Sequence, residues 1–194
     1  SVKSHQWGRD NRQISFDLQH EGDMAKRKIH YYHKGKLQVD TVIRAFPGEP
    51  NLRFSVGVID AQTGKSKLLE RQDDRFPIWN YGLSARGDKL FVNESDPYVK
   101  LHRIEMYELT TGTRETFYRE HDPKHLRPDW KAAWASGDDG LIILTDRDGF
   151  GHLYHQRKAA GGARQLTTGN WEISDFAVAD SSRQIYFRAN KAHG

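Results

Sequence analysis

Apolar and polar positions alternate along this chain in short runs, and small polar turns separate the runs. "WGRDNRQISF" from Trp7, "LSARGDKLFV" from Leu83, "ASGDDGLIIL" from Ala135 and "VADSSRQIYF" from Val178 each set a turn before a strand that buries every second residue. A second pattern follows three of them: "VGVIDAQTGKSKLL" from Val56, "IEMYELTTGTRETF" from Ile104 and "HLYHQRKAAGGARQLT" from His152. In each, an alternating strand meets a glycine turn and returns as a more polar strand. Gly64, Gly112 and Gly162 are expected to hold these turns, where positive φ costs glycine little. The steps between them are 48 and 50 residues, a spacing suited to four-stranded propeller blades. No stretch joins helical periodicity to caps.

The patterns predict an all-β chain, a partial β-propeller of about three to four four-stranded antiparallel blades. Blades are expected at about residues 1–70, 76–119 and 130–168, with a half blade at 171–194. A long insert from about Asp17 to Pro50 interrupts the first. Such an arc does not close, since rings have typically four to eight blades. Bare end faces and an unpaired last edge imply a homo-oligomer formed through exposed blade edges, or poorly ordered termini.

Composition narrows the chemistry. The 194 residues suffice for a core, and with two methionines the aromatics (11%) must carry much of it. Thirty Lys and Arg face 26 Asp and Glu, interleaved without a block of like charge, so neither a nucleic-acid partner nor a membrane-binding stripe is expected. The absence of cysteine excludes a disulfide framework, a thiolate zinc site and a cysteine nucleophile.

Several motifs invite chemistry and fail on spacing. "GLSARG" from Gly82 resembles a nucleophile elbow, but Arg86 stands where the second glycine belongs, and Ser84 precedes a strand rather than a helix. "DAQTGKS" lacks the first glycine of a phosphate loop, with Ile59 in its place. "DRDG" lacks the later calcium ligands, so Asp146 and Asp148 are expected to cap a tight turn through their own backbone amides. The histidine pairs of "HYYH" and "HLYH" point to opposite faces of a strand. No metal and no cofactor are expected. His152 is expected to face inward and bond a loop carbonyl or a neighbouring blade, and Trp171 to pack between blades. "NES" at Asn93 is a glycosylation acceptor pattern.

The stretch "TDRDGFGHLYHQRKAAGGARQLTTGNWEISD" resembles the late propeller blades of the dipeptidyl peptidase IV family, in the prolyl oligopeptidase clan. Asp146, Arg147, Asp148, Gly149, Phe150, His152, Leu153, Tyr154, Leu166, Thr167, Gly169, Trp171 and Glu172 match its pattern in order. "IRAFPGEPNLRFSVGVID" resembles the family's aromatic-proline crossing, with Phe46 and Pro47 in that place and Gly48, Glu49, Pro50 and Asn51 behind. "HQWGRDNRQISF" resembles its Trp-Ser-Pro-Asp-Gly strand pair, but Gly8 and Arg9 replace Ser-Pro, so that turn is expected to be built differently. The resemblance runs from about His5 to Gly194.

The resemblance implies a parent serine exopeptidase that removes N-terminal dipeptides, with this propeller capping a C-terminal α/β-hydrolase domain. The parent is expected to be periplasmic, secreted or membrane-anchored. The Ser-Asp-His triad and the family's amine-binding glutamate pair are expected outside this chain, which would be catalytically inactive alone. "KHLRPDW", Lys124 to Trp130, resembles the family's substrate-side loop, and Arg127 is the residue expected to bind peptide. A guanidinium there would take a carboxylate or carbonyl through two parallel bonds. The alternatives are a non-enzymatic propeller that binds protein or peptide partners, and a family member with a decayed triad.

Overall fold

The computed structural model describes residues 1–9, 11–22, 24–46, 48–49, 51–127 and 130–191. The chain opens with β1 (Val2–Trp7) and β2 (Gln13–His20). It leaves the sheet as a hairpin, β3 (Lys26–His33) and β4 (Lys36–Ile43), and returns as β5 (Arg53–Asp60) and β6 (Ser66–Leu68). The first blade has the order β1-β2-β5-β6, and among the described residues β3 pairs only with β4. The excursion therefore begins after His20, later than the sequence suggested. Asp17 lies inside β2, opposite Val56, and accepts hydrogen bonds from the Ser4 amide and hydroxyl.

The second blade contains β7 (Ile78–Leu83), β8 (Lys89–Ser95), β9 (Leu101–Glu108) and β10 (Arg114–His121). The third contains β11 (Lys131–Trp134), β12 (Leu141–Thr145), β13 (His152–Gln156) and β14 (Arg164–Gln165). A two-stranded half blade, β15 (Ile173–Ala179) and β16 (Gln184–Ala189), ends the arc. All these pairings are antiparallel, which makes the chain a partial β-propeller.

The turns repeat at the level of the backbone. Gly8, Ser84 and Ala135 each donate N–H to the carbonyl five residues on, at 2.7, 2.9 and 2.9 Å, and each accepts from the N–H three residues on. The residue at that last position is left-handed every time: Asn11 at φ 52°, Gly87 at 70° and Asp138 at 58°. The turn after Trp7 is thus built as the others are, contrary to expectation. Its bonds are backbone bonds, so Ser-Pro is not required, and asparagine tolerates the left-handed region. The outer hairpins at Gly64 and Gly112 also share one pattern, each glycine bonding the carbonyl four residues back at 2.8 Å with positive φ. Gly162 departs from it. Its φ is not left-handed, and the longer connection closes instead through Gly161 N–H to the Lys158 carbonyl.

Burial follows from blades stacking face to face. The strand Leu141–Thr145 is buried throughout, and its first four residues are apolar without alternation because both its faces are covered. Leu141 and Ile143 join Phe91, Ile104, Met106 and Trp134 on one side, while Ile142 and Leu144 join Leu153, Ile173 and Phe176 on the other. Polar stitches run between the innermost strands of neighbouring blades. The Ser4 and Tyr81 hydroxyls lie 2.7 Å apart, both on Asp17. The Asn80 amide donates to the Ala132 carbonyl at 2.7 Å and accepts from its N–H, and Trp134 Nε1 donates to Gly82 O. Lys131 Nζ reaches Asp175 and the Phe176 carbonyl.

A buried ionic cluster secures the first crossover. Arg71, between the first two blades, donates to the Phe54 and Phe76 carbonyls at 2.6 and 2.7 Å and pairs with Glu94. Glu94 also accepts from Arg103 Nε at 2.6 Å, and Arg103 reaches Gln72. The Arg71 and Glu94 side chains are 2% and 1% exposed, so neither charge is left to solvent.

Candidate functional site

Antiparallel order assigns each connection to one end of the arc. The β2–β5 excursion, the Asp96–Lys100 and Asp146–Gly151 turns and the blade-to-blade crossovers share one end. The repeated turns and outer glycine hairpins share the other. Arg127 and Ser84 therefore lie at opposite ends.

Arg127 sits on the crossover between β10 and β11. Its loop is tied at the front by Asp122 N–H to the Lys100 carbonyl (3.0 Å) and by Leu126 N–H to the Val99 carbonyl (2.7 Å). The Asp122 carboxylate accepts from the Lys124 and His125 amides. Val99 holds φ 57°, a costly conformation for a β-branched residue, while its carbonyl takes the Leu126 bond. The rear of the loop is fixed by Trp130, stacked on His102 with centroids 4.2 Å apart and planes 9° apart. His102 is fully buried, bonds Asn93 at 2.6 Å and approaches Glu120 at 3.4 Å. Burial holds the His102 imidazole below its usual range, against the partial pull of Glu120. Pro128 and Asp129 lie outside the described residues, as do Pro47 and Pro50 of the upstream crossing.

The Arg127 guanidinium makes two parallel bonds to Glu172, at 2.6 and 3.2 Å. Glu172 enters the half blade, and its N–H is held by the Asn190 side chain at 2.7 Å. Arg127 keeps the Glu172 carboxyl below the usual carboxylate range. The pair borders a recess of about 20 Å³ beside Trp130, Thr145 and Ile173, roughly the room of one water. Tyr98 and Phe150 are exposed at the same end. The bidentate contact that sequence reasoning reserved for a ligand is thus made within the chain. Sequence reading matched Glu172 only as part of Gly-x-Trp-Glu and gave it no partner, because 45 residues separate it from Arg127.

Other candidates resolve into structure. Ser84 is buried, donates to Asp88 at 2.7 Å and accepts from the Lys89 amide. His152 is buried and bonds the Gly169 carbonyl at 3.0 Å and Thr167 Oγ1 at 3.1 Å, as expected for an inward ring tied to a loop. Trp171 lies edge-on to His152 and stacks on Phe187, between third and half blades. Asp148 accepts from the Tyr154 hydroxyl, a contact beyond the turn that local capping did not foresee. Asn93 is fully buried and donates to Asn80, so the folded chain does not offer it for glycosylation. His20 Nε2 lies 3.2 Å from Ser55 Oγ, but among the described residues no carboxylate orients that imidazole as a triad would.

Antiparallel four-stranded sheets arranged as stacked blades define a β-propeller segment. Its sequence from 1 to 194 matches the family model described as the dipeptidyl peptidase IV N-terminal region. The chain belongs to that family. A candidate dipeptidyl aminopeptidase IV from Bacteroides ovatus superimposes with a TM-score of 0.81 at 22% identity, over 96% of this chain and 30% of that one. Dipeptidyl peptidase 4 from Porphyromonas gingivalis gives 0.77 at 18% identity, over 95% and 27%. TolB from Acinetobacter baumannii gives 0.62 at 13%, over 96% and 37%. The chain thus spans at most 37% of the length of these solved structures.

Proposed function

We propose that this chain is the propeller portion of a serine-type dipeptidyl peptidase. Its blades wall the chamber in which an α/β-hydrolase domain of the same polypeptide removes dipeptides from peptide N-termini. The family match over residues 1–194 carries the reading. In this reading the chain contributes shape and exclusion. Blades fixed by polar stitches and packed apolar faces form a rigid rim that admits extended peptide ends and keeps folded protein out. The triad and the amine-binding carboxylates belong to other parts of the polypeptide, and residues 1–194 alone turn nothing over.

Within that frame Arg127 lies on the peptide side of the chamber. Its ion pair with Glu172 cancels the local charge, which suits a peptide carbonyl better than a free carboxylate. The test is steady-state kinetics of the intact polypeptide on a dipeptide-proline reporter extended beyond the scissile bond. Arg127→Ala is expected to raise KM about 3- to 30-fold with kcat little changed, the mark of lost uniform binding. An unchanged KM removes Arg127 from the peptide site. Absence of turnover in the unsubstituted intact polypeptide would instead favour the non-enzymatic binding propeller.

A further inference from the structure

Four polar side chains form a row across the second blade, one from each strand. Asn80 on β7 is in register with Asn93 on β8, and His102 on β9 with Glu120 on β10. His102 Nε2 lies 2.6 Å from Asn93 Oδ1 and joins the two halves. Both ends of the row are pinned to the third blade. Asn80 holds the carbonyl and the N–H of Ala132 at 2.7 and 3.2 Å, and Glu120 accepts from Thr145 Oγ1 at 2.8 Å. Asn93 and His102, in the middle, are fully buried. The interior of the next seam is apolar, with Ile142 and Leu144 on Ile173 and Phe176, so blade stacking by itself does not require such a row.

Each amide and ring in the row has one orientation. The Ala132 N–H only donates and its carbonyl only accepts, which turns Asn80 Oδ1 to the first and Nδ2 to the second. Asn80 Oδ1 also accepts from Asn93 Nδ2 at 2.8 Å, so Asn93 presents its Oδ1 to His102. His102 therefore donates from Nε2, and the lone pair of its neutral Nδ1 faces the Glu120 carboxylate. Two acceptors with no proton between them fit the wide gap of 3.4 Å. Bonds so directed fix the plane of the imidazole. Trp130 lies on that plane, 4.2 Å away and 9° from parallel. It ends the crossover three residues after Arg127, and both side chains border the recess beside Thr145.

We infer that His102 is a positioning residue that acts through Trp130 to hold the Arg127 loop in the pose that meets a peptide; this rests on the reading of Arg127 as a peptide-binding residue. Stacking alone lets an indole slide and turn on a flat partner. The directed row removes that freedom, because the partner ring is itself fixed from both blades. The front of the loop is tied separately, by Leu126 N–H to the Val99 carbonyl. With both ends held, the loop is ordered before a peptide arrives, and the cost of ordering it does not subtract from binding.

The test uses the intact polypeptide and two readouts: kinetics on the extended dipeptide-proline reporter, and hydrogen exchange of the segment covering residues 122–130. His102→Leu loses the donor and the flat ring. It should raise KM about 3- to 30-fold with kcat little changed, as Arg127→Ala does. Because His102 acts through Arg127, the two substitutions together should raise KM no further than Arg127→Ala alone, whereas independent roles multiply. His102→Gln sets an amide nitrogen where Nε2 stands and should keep KM within about twofold. Exchange of the segment should quicken at least about tenfold in His102→Leu and little in His102→Gln. If His102→Leu does not fold, Trp130→Leu leaves the row's hydrogen bonds in place and should quicken exchange in the same way. Unchanged exchange in the folded leucine variant, an unchanged KM where Arg127→Ala raises it, or KM effects that multiply overturn the positioning role. Quickened exchange beside an Arg127→Ala variant of unchanged KM refutes the reading of Arg127 instead, and upholds the hold of His102 on its loop.

Discussion

Replacing Arg71 with methionine should unfold this propeller far more readily than its position in a crossover suggests. Methionine keeps much of the aliphatic bulk and removes the guanidinium. The Phe54 and Phe76 carbonyls lose donors that reach them at 2.6 and 2.7 Å, and Glu94 keeps only Arg103 as a cationic partner. The Arg71 and Glu94 side chains are 2% and 1% exposed, so water cannot step in. Breaking a buried pair from one side costs about 3–5 kcal/mol, of which each orphaned acceptor supplies about 1–3. At about 2–4 °C per kcal/mol for a domain of this size, the melting temperature should fall by about 6–20 °C. Urea unfolding followed by tryptophan fluorescence gives the free energy, with Trp79, Trp130 and Trp134 all in the second and third blades or the crossover between them. Arg12→Met serves as the control, because the Arg12 side chain is 63% exposed beside Asp60, and its midpoint should barely move. A loss below about 1 kcal/mol for Arg71→Met would refute the claim that this cluster holds the first two blades together.

Two further outcomes follow from the same geometry. Unfolded histidine titrates near about 6.5, and burial holds His102 lower, so the unfolded state takes up more protons as pH falls below that value. Stability is therefore full above about pH 6.5 and is lost as pH falls towards the folded value; His102→Gln should flatten the urea midpoint between about pH 7 and 5, and equal slopes would contradict the linkage. Gly140→Ala should cost clearly more than Gly64→Ala in thermal melts. Both glycines are left-handed, worth about 1–2 kcal/mol, but only at Gly140 would the new methyl lie 2.1 Å from the Gln156 carbonyl; equal losses would show that the backbone there shifts freely.

The blades were legible because each carries its own period. Turn, strand, glycine turn and strand recur at 48 and 50 residues, and the unbroken apolar run at Leu141 marks a strand covered on both sides. The hairpins at Gly64 and Gly112 were readable because left-handed backbone selects glycine. The turn after Trp7 was not, because its hydrogen bonds are backbone bonds and Asn11 serves as well as Gly87. The site was legible in half. Arg127 stood out through the loop around it, whereas Glu172, which meets it from the half blade, carries no local sign of that contact.

The seams between blades differ in chemistry, and this sets where the arc gives way. Hydroxyls close the first seam on a shared carboxylate, and a neutral amide closes the second against backbone. The charged link of the third is Lys131 with Asp175, whose side chains are 41% and 51% exposed, beside the buried contacts of Ile142 and Leu144 with Ile173 and Phe176. Salt screens only a contact of that last kind, so rising ionic strength should loosen the Lys131–Asp175 link while the apolar contacts of the same seam hold. The response to ionic strength is therefore uneven along the arc, and it is concentrated at the one joint whose charged partners meet water.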